Sequence, residues 1–480
     1  MSTDRAFLTG VAWVGGLRLV MQSISWASTL LVVRFISPPD YGIMGMAGVV
    51  LLVASLFAEF GIAGAVITTR DLAADDAERL NGLAIGVGAA AALVVAAVAP
   101  LLGHFYHEPR LVPVLLVLAA TFAVDGARVV PVAILQRHLR FKRSAALESA
   151  RSLSSTAVVL PMALLGYGYW SLVAGAVTAS VVATTVAWLI SPVRIRFGLT
   201  ERLTAPLRTA RDFLIGRLAW QVYTNGDMVI VGRLRAVADL GQYTLAWNIA
   251  SLPGEKLTNL LTVVSSSFFA SLRSDLPAMR RYLLLLTEGI AVLTWPVLAG
   301  IALVAPDAVP LLWGEQWRPA VRPMQLLVTY AALSSLGVPF GQVLAATGQV
   351  SEGRRNALFS CALMLPAFYL AASRSGIVAV AGCWLVLYPL IYLRPFNIVR
   401  RTLQLPIGAY VRALLPAASI TAWMLAAVLM VRAGVTSGQA PKLRFATEAA
   451  TGAVAVALAI GLGYRRRLRQ IVTTARGPRG

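Results

Sequence analysis

Long apolar stretches alternate with short polar or charged connections along most of the chain. The apolar stretches are about 20 residues long, the length of α-helix that crosses the ~30 Å hydrocarbon core of a bilayer. This pattern predicts an all-α, polytopic membrane protein with about fourteen transmembrane helices. The approximate spans are 8–33, 41–67, 81–103, 111–135, 145–166, 170–190, 212–232, 240–270, 283–305, 323–346, 356–373, 376–397, 409–431 and 446–464.

Composition excludes a water-soluble protein. Of the 480 residues, 58% are hydrophobic and only 13% are charged, and the mean hydropathy is +0.74. A soluble domain carries roughly 25% charged residues, because polar side chains must cover its surface. Most of the apolar stretches would therefore stay exposed to water.

The basic residues predict the orientation in the membrane. The net charge is +21, from 42 basic and 21 acidic residues, which in a soluble protein would suggest nucleic-acid binding. Here the arginines concentrate in alternate connections and in the tail, namely 137–151, 194–211, 273–281, 354–355, 394–401 and 465–479. The positive-inside rule then predicts that both termini are cytoplasmic, with an even number of spans. The cations are expected to contact anionic lipid headgroups rather than nucleic acid.

A comparison of the chain with itself shows a repeat at an offset of 199 residues. The matching pairs are Arg18 with Arg217, Gln22 with Gln221, Ser25 with Thr224, Arg34 with Arg233, Asp40 with Asp239 and Gly42 with Gly241. The two copies are six spans apart, so both run in the same direction through the membrane. This is a parallel repeat, related by an axis along the membrane normal.

The repeat predicts three parts in the chain. Residues 1–205 form a six-helix lobe, residues 206–400 form a second lobe that repeats the first, and residues 401–480 add two helices and a basic cytoplasmic tail. Two pseudo-symmetric lobes with a site between them suit alternating access. The sequence therefore favours a transporter over an enzyme.

Equivalent polar stripes lie on the first and seventh predicted helices. Their residues are Arg18, Gln22 and Ser25 on the first helix, and Arg217, Gln221, Thr224 and Asn225 on the seventh. Within each stripe the spacings of three and four residues place the side chains on one helix face. A charged side chain facing lipid costs roughly 2.5–3.5 kcal/mol, so we expect both stripes to line a central cavity.

The stripes predict an anion site. The guanidinium groups of Arg18 and Arg217 suit a phosphate, because their planar fork matches two oxygens and keeps its charge. The alternative is that these arginines pair with Asp227, Glu288 or Asp125 and hold the lobes together. Asp227 or Glu288 is also a candidate to carry a coupling proton or Na⁺.

Other polar features suggest no chemistry of their own. Asp125 and Arg128 are spaced i, i+3 and are expected to pair, and Glu255 follows a Pro-Gly pair where a helix kink is expected. His104 and His107 fit an interfacial aromatic loop better than a metal site. The chain has no G-x-x-x-x-G-K-[ST] phosphate loop and no nucleophile–base group. We expect no enzymatic activity, metal or cofactor.

Several motifs follow one another in the order found in bacterial polysaccharide and O-antigen flippases. They are Arg34-Phe-Ile-Ser-Pro-Pro-Asp-Tyr-Gly42, Phe60-Gly61-Ile62, Tyr106-His-Glu-Pro109, Arg137-His-Leu-Arg-Phe-Lys142, Asp227-Met-Val-Ile-Val-Gly-Arg233, Leu240-Gly-Gln-Tyr243 and Leu312-Trp-Gly-Glu-Gln-Trp317. Ser37 and Pro39 stand where that family usually has Gly and often has Glu, both at turn positions. The chain thus resembles the polysaccharide-transporter branch of the multidrug/oligosaccharidyl-lipid/polysaccharide exporter superfamily.

The resemblance implies a flippase of the bacterial inner membrane that moves undecaprenyl-pyrophosphate-linked oligosaccharide from the cytoplasmic to the outer leaflet. Such a protein serves the biosynthesis of O-antigen, capsule or exopolysaccharide. The pyrophosphate is expected near Arg18 and Arg217, and an ion gradient is expected to drive the cycle. The expected partners are the lipid-linked oligosaccharide, membrane lipids, a polysaccharide polymerase and glycosyltransferases, and the chain is expected to be a monomer.

Two other functions remain open from the sequence. A cation-coupled exporter of drugs or metabolites, from the same superfamily, would be expected to use an acidic, aromatic-lined pocket rather than arginines on both stripes. A non-transporting scaffold of a polysaccharide-assembly complex would not require two symmetric polar stripes.

Overall fold

The computed structural model describes residues 30–59, 61–69, 72–138, 140–198, 218, 220–273, 275–434 and 440–464. The regular secondary structure of these ranges is helical and contains no strand. The predicted all-α fold is therefore confirmed. The predicted site residues that lie outside the described ranges are Arg18, Gln22, Ser25 and Arg217.

The helices follow one another with short connections. The first seven are α1 (Pro38–Glu59), α2 (Ile62–Thr68), α3 (Ala74–Tyr106), α4 (Leu111–Arg137), α5 (Phe141–Leu164), α6 (Tyr169–Ile190) and α7 (described over 220–234). The next eight are α8 (Val237–Ser271), α9 (Leu276–Trp313), α10 (Val321–Ser335), α11 (Val338–Ala346), α12 (Val350–Ser375), α13 (Ile377–Thr402), α14 (Ile407–Gly434) and α15 (Pro441–Ala459). A 3-10 turn, Glu315–Ala320, precedes α10, and a π-helical turn, Ile460–Tyr464, follows α15.

Ten helical segments in the described part of the chain are long and apolar enough to cross a membrane. They coincide with ten of the predicted spans. Among the other four, 8–33 lies almost wholly outside the described residues, whereas 145–166, 212–232 and 240–270 correspond to α5, α7 and α8. The polytopic helical fold is confirmed, and the total of about fourteen spans stays a prediction.

The chain divides into two compact units, Met1–Gly241 and Gln242–Gly480. The boundary between these units lies where the chain separates into two compact groups of residues. The lobes 1–205 and 206–400 were instead predicted from the repeat. The lobe boundaries therefore stay a prediction.

Within the first unit, α3 packs closely along α4 at two glycines. A Cβ atom on Gly88 would lie 2.5 Å from the carbonyl oxygen of Phe122, and one on Gly126 would lie 2.7 Å from that of Ala84. Small residues allow this close backbone approach, which supplies the van der Waals contact that holds helices together in lipid.

One end of the first unit gathers turns that the positive-inside rule predicts on the outer side. Arg233 Nη1 lies 2.9 Å from His107 Nδ1, and the Arg233 guanidinium carbon lies 5.6 Å from the centre of the Phe105 ring. A Cβ atom on Gly168 would lie 2.6 Å from Asp40 Oδ2. The connections after α3 and α7 therefore meet each other, and the connection after α5 meets the start of α1, as the predicted alternation of loops requires.

The opposite end of the first unit gathers turns that are predicted to be cytoplasmic. Arg137 Nη1 donates hydrogen bonds to the carbonyl oxygens of Val66 and Thr69, at 2.7 and 2.5 Å. Arg196, beyond α6, forms an ion pair with Asp75 at the start of α3. Arg137 and Arg196 thus bind neighbouring turns and also make this end of the unit positively charged.

In the second unit, α9 is the central helix and packs against α10, α14 and α15. Near its start, Arg280 Nη1 donates a 3.1 Å hydrogen bond to the carbonyl oxygen of Gln404. Near its end, Asp307 forms an ion pair with Arg444 of α15. The two C-terminal helices are therefore anchored to α9 at opposite ends.

Candidate functional site

The two copies of the repeat meet at their exit turns. A Cβ atom on Gly42 would overlap the carbonyl oxygen of Val237 and lie 3.0 Å from its carbonyl carbon. A Cβ atom on Gly241 would overlap the carbonyl oxygen of Pro38 and lie 2.9 Å from the Gly42 nitrogen. Pro38 and Val237, like the two glycines, are 199 residues apart. The contact is therefore reciprocal, as a two-fold relationship between equivalent elements requires.

The described part of the predicted anion site lies on α7. Thr224 Oγ1 donates to the carbonyl oxygen of Trp220 at 3.0 Å, and Asn225 Nδ2 donates to Thr224 Oγ1 at 3.0 Å and to the Gln221 carbonyl oxygen at 3.2 Å. The side chains of Gln221, Thr224 and Asn225 are all partly buried.

These hydrogen bonds constrain the chemistry of the α7 stripe. The hydroxyl proton of Thr224 and the amide protons of Asn225 are used within the helix, so both side chains offer mainly lone pairs to a ligand. An anion needs donors, which leaves that role to Gln221 and to the predicted arginines. The arginine part of the site stays a prediction.

The two candidate ion-coupling carboxylates are both buried. Asp227 of α7 is fully buried, and its Oδ1 accepts a 2.8 Å hydrogen bond from the backbone nitrogen of Met228. Glu288 of α9 is 5% exposed, and its Oε1 accepts a 2.6 Å hydrogen bond from Tyr464 Oη. Each carboxylate lies within one unit, and ion coupling through either of them stays a prediction.

Two interpretations of charges inside spans can be compared with the structure. Arg128 Nε donates to Asp125 Oδ1 at 2.7 Å, and Ser180 Oγ donates to the same oxygen at 2.8 Å, which confirms the predicted pairing. Helix α8 continues through Pro253 and Gly254, so the proline does not end the helix.

A cluster of four charges in the second unit was not predicted. Arg432 of α14 binds Glu448 of α15 through two hydrogen bonds, from Nε at 2.8 Å and from Nη2 at 2.6 Å. Arg444 binds Asp307, and Arg432 Nη2 lies 3.9 Å from the same carboxylate. Both arginines lie in the connection between the predicted spans 409–431 and 446–464, where a basic residue is expected. The signal that sequence reasoning missed was Glu448, an acidic residue inside a predicted span.

The loop after α3 holds an ion pair. Arg110 Nε donates to Glu108 Oε1 at 2.7 Å, and this hydrogen bond lowers the pKa of the Glu108 carboxyl below its ordinary value of 4.5. His107 lies against Arg233, whose positive charge opposes cation binding. Among the residues that the structure describes, no group of three or more His, Cys, Asp or Glu side chains could hold a metal ion.

Comparison with known families identifies similar proteins. The family described as "polysaccharide biosynthesis protein" matches residues 31–322. WzxC, the lipopolysaccharide biosynthesis protein of Escherichia coli, is 24% identical over 389 residues, covering 79% of this chain and 78% of WzxC. ExoT, the succinoglycan biosynthesis transport protein of Rhizobium meliloti, is 23% identical, covering 61% of this chain and 60% of ExoT.

The fold is also shared with a solved structure. The lipid II flippase MurJ in an inward closed conformation superposes with a TM-score of 0.74, covering 94% of this chain and 99% of MurJ at 12% sequence identity. At that identity the likeness concerns the fold. The resemblance drawn from the sequence motifs, to a family of polysaccharide biosynthesis proteins, is confirmed.

Proposed function

Because the chain belongs to the polysaccharide biosynthesis protein family, we propose that it flips undecaprenyl-pyrophosphate-linked oligosaccharide across the bacterial inner membrane. The cargo moves from the cytoplasmic to the outer leaflet during synthesis of O-antigen, capsule or exopolysaccharide. The chain acts as a monomer with both termini in the cytoplasm, between glycosyltransferases that build the repeat unit and a polymerase that joins the units.

The observation that carries this proposal is the agreement between family and fold. The family match spans most of the N-terminal two thirds of the chain, and one relative is itself described as a succinoglycan biosynthesis transport protein. The shared fold includes a protein described as a flippase of lipid II. A flippase must handle a charged headgroup within a helical bundle, and this chain has partly buried polar side chains on α7, a predicted span.

The mechanism follows from the chemistry of the stripes. Arg18 and Arg217 bind the pyrophosphate through bidentate hydrogen bonds, and Gln22, Gln221 and Ser25 add further donors. Asn225 and Thr224, whose protons are used within α7, accept hydrogen bonds from sugar hydroxyls. The lipid tail stays in the bilayer while the lobes rock about the bound headgroup.

The energy source of the cycle is an ion gradient. Asp227 and Glu288 are buried carboxylates. Glu288 lies in a helix long and apolar enough to cross a membrane, and Asp227 lies in a predicted span. A change of protonation at such a site is expensive unless it is coupled to conformation. Binding a proton or Na⁺ at one of them would favour one of the two orientations. The transport cycle contains no enzymatic step.

A transport assay tests the proposal. The purified full-length chain is reconstituted in liposomes that contain undecaprenyl-pyrophosphate-linked saccharide from a strain that makes surface polysaccharide. An impermeant glycosidase then reports how much glycan has reached the outer leaflet. We expect the chain to raise that fraction, and a chain that leaves the fraction unchanged would contradict the flippase proposal.

A pair of variants tests the anion site separately. Arg18→Ala combined with Arg217→Ala should abolish transport, whereas Arg374→Ala, at an exposed arginine near the end of α12, should leave it intact. Full transport by the double variant would remove the arginines from the mechanism without removing the flippase.

A further inference from the structure

Three consecutive residues at the end of α3 hold the C-terminal end of α7. The buried Tyr106 ring packs closely against Gly232, where a Cβ atom would lie 3.0 Å from Tyr106 Cε1. Arg233 lies over the Phe105 ring, with 5.6 Å between its guanidinium carbon and the ring centre. Its Nη1 lies 2.9 Å from His107 Nδ1, and both of these side chains are exposed. The contact thus has an apolar base and a polar cap that water can reach.

This contact joins the two copies of the repeat. His107 belongs to the first predicted lobe, 1–205, whereas Arg233 ends the first helix of the second predicted lobe, 206–400. Both residues lie at the end of the first unit that the positive-inside rule predicts on the outer side. Lobes that rock to release cargo outwards must separate their outer ends. A contact between those ends therefore opposes that step.

The polar cap requires a neutral histidine. Arginine can only donate, so His107 Nδ1 accepts with its lone pair and the proton of the neutral ring is on Nε2. A second proton, on Nδ1, removes the acceptor and places two cations side by side. Histidine is the side-chain type that ordinarily changes charge between about pH 5 and 8. Protonation of His107 therefore breaks the cap.

The neighbouring acidic group is already paired. Both carboxylate oxygens of Glu108 accept from Arg110, at 2.7 and 3.0 Å, and no carboxylate in the described part of the chain forms an ion pair with His107. A protonated His107 would therefore meet Arg233 without a negative charge held between them. The other titratable groups of the elements that meet at this end are Arg34, Asp40, Tyr41, His104, Tyr106, Tyr167, Tyr169, Arg235 and Asp239.

We propose that His107 is a proton-binding site through which acid on the outer side releases Arg233 and favours outward opening. This role rests on the proposed flippase function and adds control by pH to it. At neutral pH the uncharged imidazole and Arg233 hold the connections after α3 and α7 together. Because both side chains are exposed, one proton shifts the ratio of open to closed outer ends by about 3- to 10-fold rather than completely.

The distance between the two connections tests this site without any cargo. The full-length chain carries Cys361→Ser and Cys383→Ser, and spin labels are attached at Pro109→Cys and Ala236→Cys, both exposed positions. Electron paramagnetic resonance in nanodiscs then measures the distance between the labels. We expect the ratio of long to short distances to rise about 3- to 10-fold from pH 8 to pH 5.5.

Two variants separate the proton from the hydrogen bond. In His107→Asn, Oδ1 takes the place of Nδ1 and accepts from Arg233 but binds no proton, and asparagine tolerates the left-handed backbone of this position, φ 55°. This variant should keep the short distance at both pH values. Arg233→Met removes the donor, so the long distance should be raised equally at both. His104→Asn is the matched control, because its ring lies 6.2 Å from that of His107 on the same helix end, and it should respond to pH as wild type does.

The outcomes distinguish this site from the flippase function. Wild-type distances that do not change with pH, or a pH response that survives in His107→Asn, would overturn the proton site. In liposomes, acid on the receiving side, neutralised before the glycosidase is added, should raise wild-type transport about 3-fold and leave His107→Asn unchanged. Equal wild-type transport at both pH values would overturn the control of transport. If acid lengthens the distance but no saccharide moves at any pH, the flippase proposal fails while the proton site stands.

Discussion

Gly42 and Gly241 occupy equivalent positions 199 residues apart, and each lies against the backbone of the helix turn that contains the other. The carbonyl groups that they approach belong to Pro38 and Val237, which are also equivalent. A repeat detected by sequence comparison therefore corresponds to a physical contact at the N-terminal ends of α1 and α8. Only residues without a side chain permit that approach.

Replacing Gly42 tests this contact. Gly42→Ala places a methyl group on a backbone carbonyl, and no rotamer change can relieve that clash, so we expect a loss of about 1–3 kcal/mol of stability. Thermal unfolding in detergent should show a melting temperature several degrees lower. Gly241→Ala should have a similar effect because the contact is reciprocal.

Gly48→Ala provides a control on the same helix. A Cβ atom at Gly48 meets nothing within 4 Å, and alanine is the better helix former by about 0.8–1 kcal/mol. Its melting temperature should be unchanged or raised. An equal fall in Gly42→Ala and Gly48→Ala would show that the close approach is not what limits stability.

The ion pair between Arg432 and Glu448 should matter far more than the pairs on the surface. The Glu448 side chain is fully buried, so Arg432→Ala leaves a buried carboxylate without its main partner at a cost of about 3–5 kcal/mol. Arg318→Ala breaks a pair with Glu315 in which both side chains are mostly exposed. That change should leave stability almost unaltered, because water screens an exposed pair.

A double variant distinguishes the effect of the unpaired buried charge from the effect of lost packing. Arg432→Met combined with Glu448→Met removes both charges, and it should recover much of the stability that Arg432→Ala loses. Chemical denaturation monitored by tryptophan fluorescence measures all three variants. A double variant as unstable as Arg432→Ala would assign the loss to packing rather than to the unpaired charge.

Glu288 can be tested for ion coupling without removing its hydrogen bond. Glu288→Gln keeps an oxygen that accepts from Tyr464 but cannot take up a proton. We expect the variant to fold and to lose stimulation of transport by an imposed pH or Na⁺ gradient. Tyr464→Phe removes the 2.6 Å hydrogen bond but keeps the carboxyl, so gradient dependence should survive. If Glu288→Gln responds to the gradient as wild type does, Asp227→Asn becomes the variant to measure.

The Glu108–Arg110 pair predicts a pH effect in the loop between α3 and α4. The pKa of Glu108 is lowered in the folded protein, so the pair stabilises the fold above about pH 4.5. That contribution is lost as the pH falls through the folded pKa. Because Arg110 is half exposed, the effect should be about 1 kcal/mol or less. The stability difference between wild type and Glu108→Gln, measured from pH 3 to pH 7, should shrink at the acidic end. A constant difference would contradict the pairing.

The sequence by itself determined the features that depend on local composition. Apolar runs near 20 residues predicted helices that the structure confirms as ten candidate spans, because the length of a spanning helix is fixed by bilayer thickness. Loop arginines such as Arg137 and Arg196 predicted which turns share one end of the first unit. The ordered motifs placed the chain in its family. Arg128, three residues after Asp125, was predicted to pair with it because i, i+3 neighbours on a helix are always close.

Only the tertiary structure decided which distant residues meet. Glu448 and Arg432 are on different helices, and neither the 3.6-residue period nor hydropathy relates them. The same holds for the ring contacts of Trp384 with Trp247 and Tyr330, since each of these residues is one more apolar position in its own span. In a bilayer all faces of a helix can be apolar, since lipid and protein interior are alike to a hydrocarbon side chain. Sequence pattern therefore fixes which segments cross the membrane, whereas helix packing selects which polar and aromatic groups face one another.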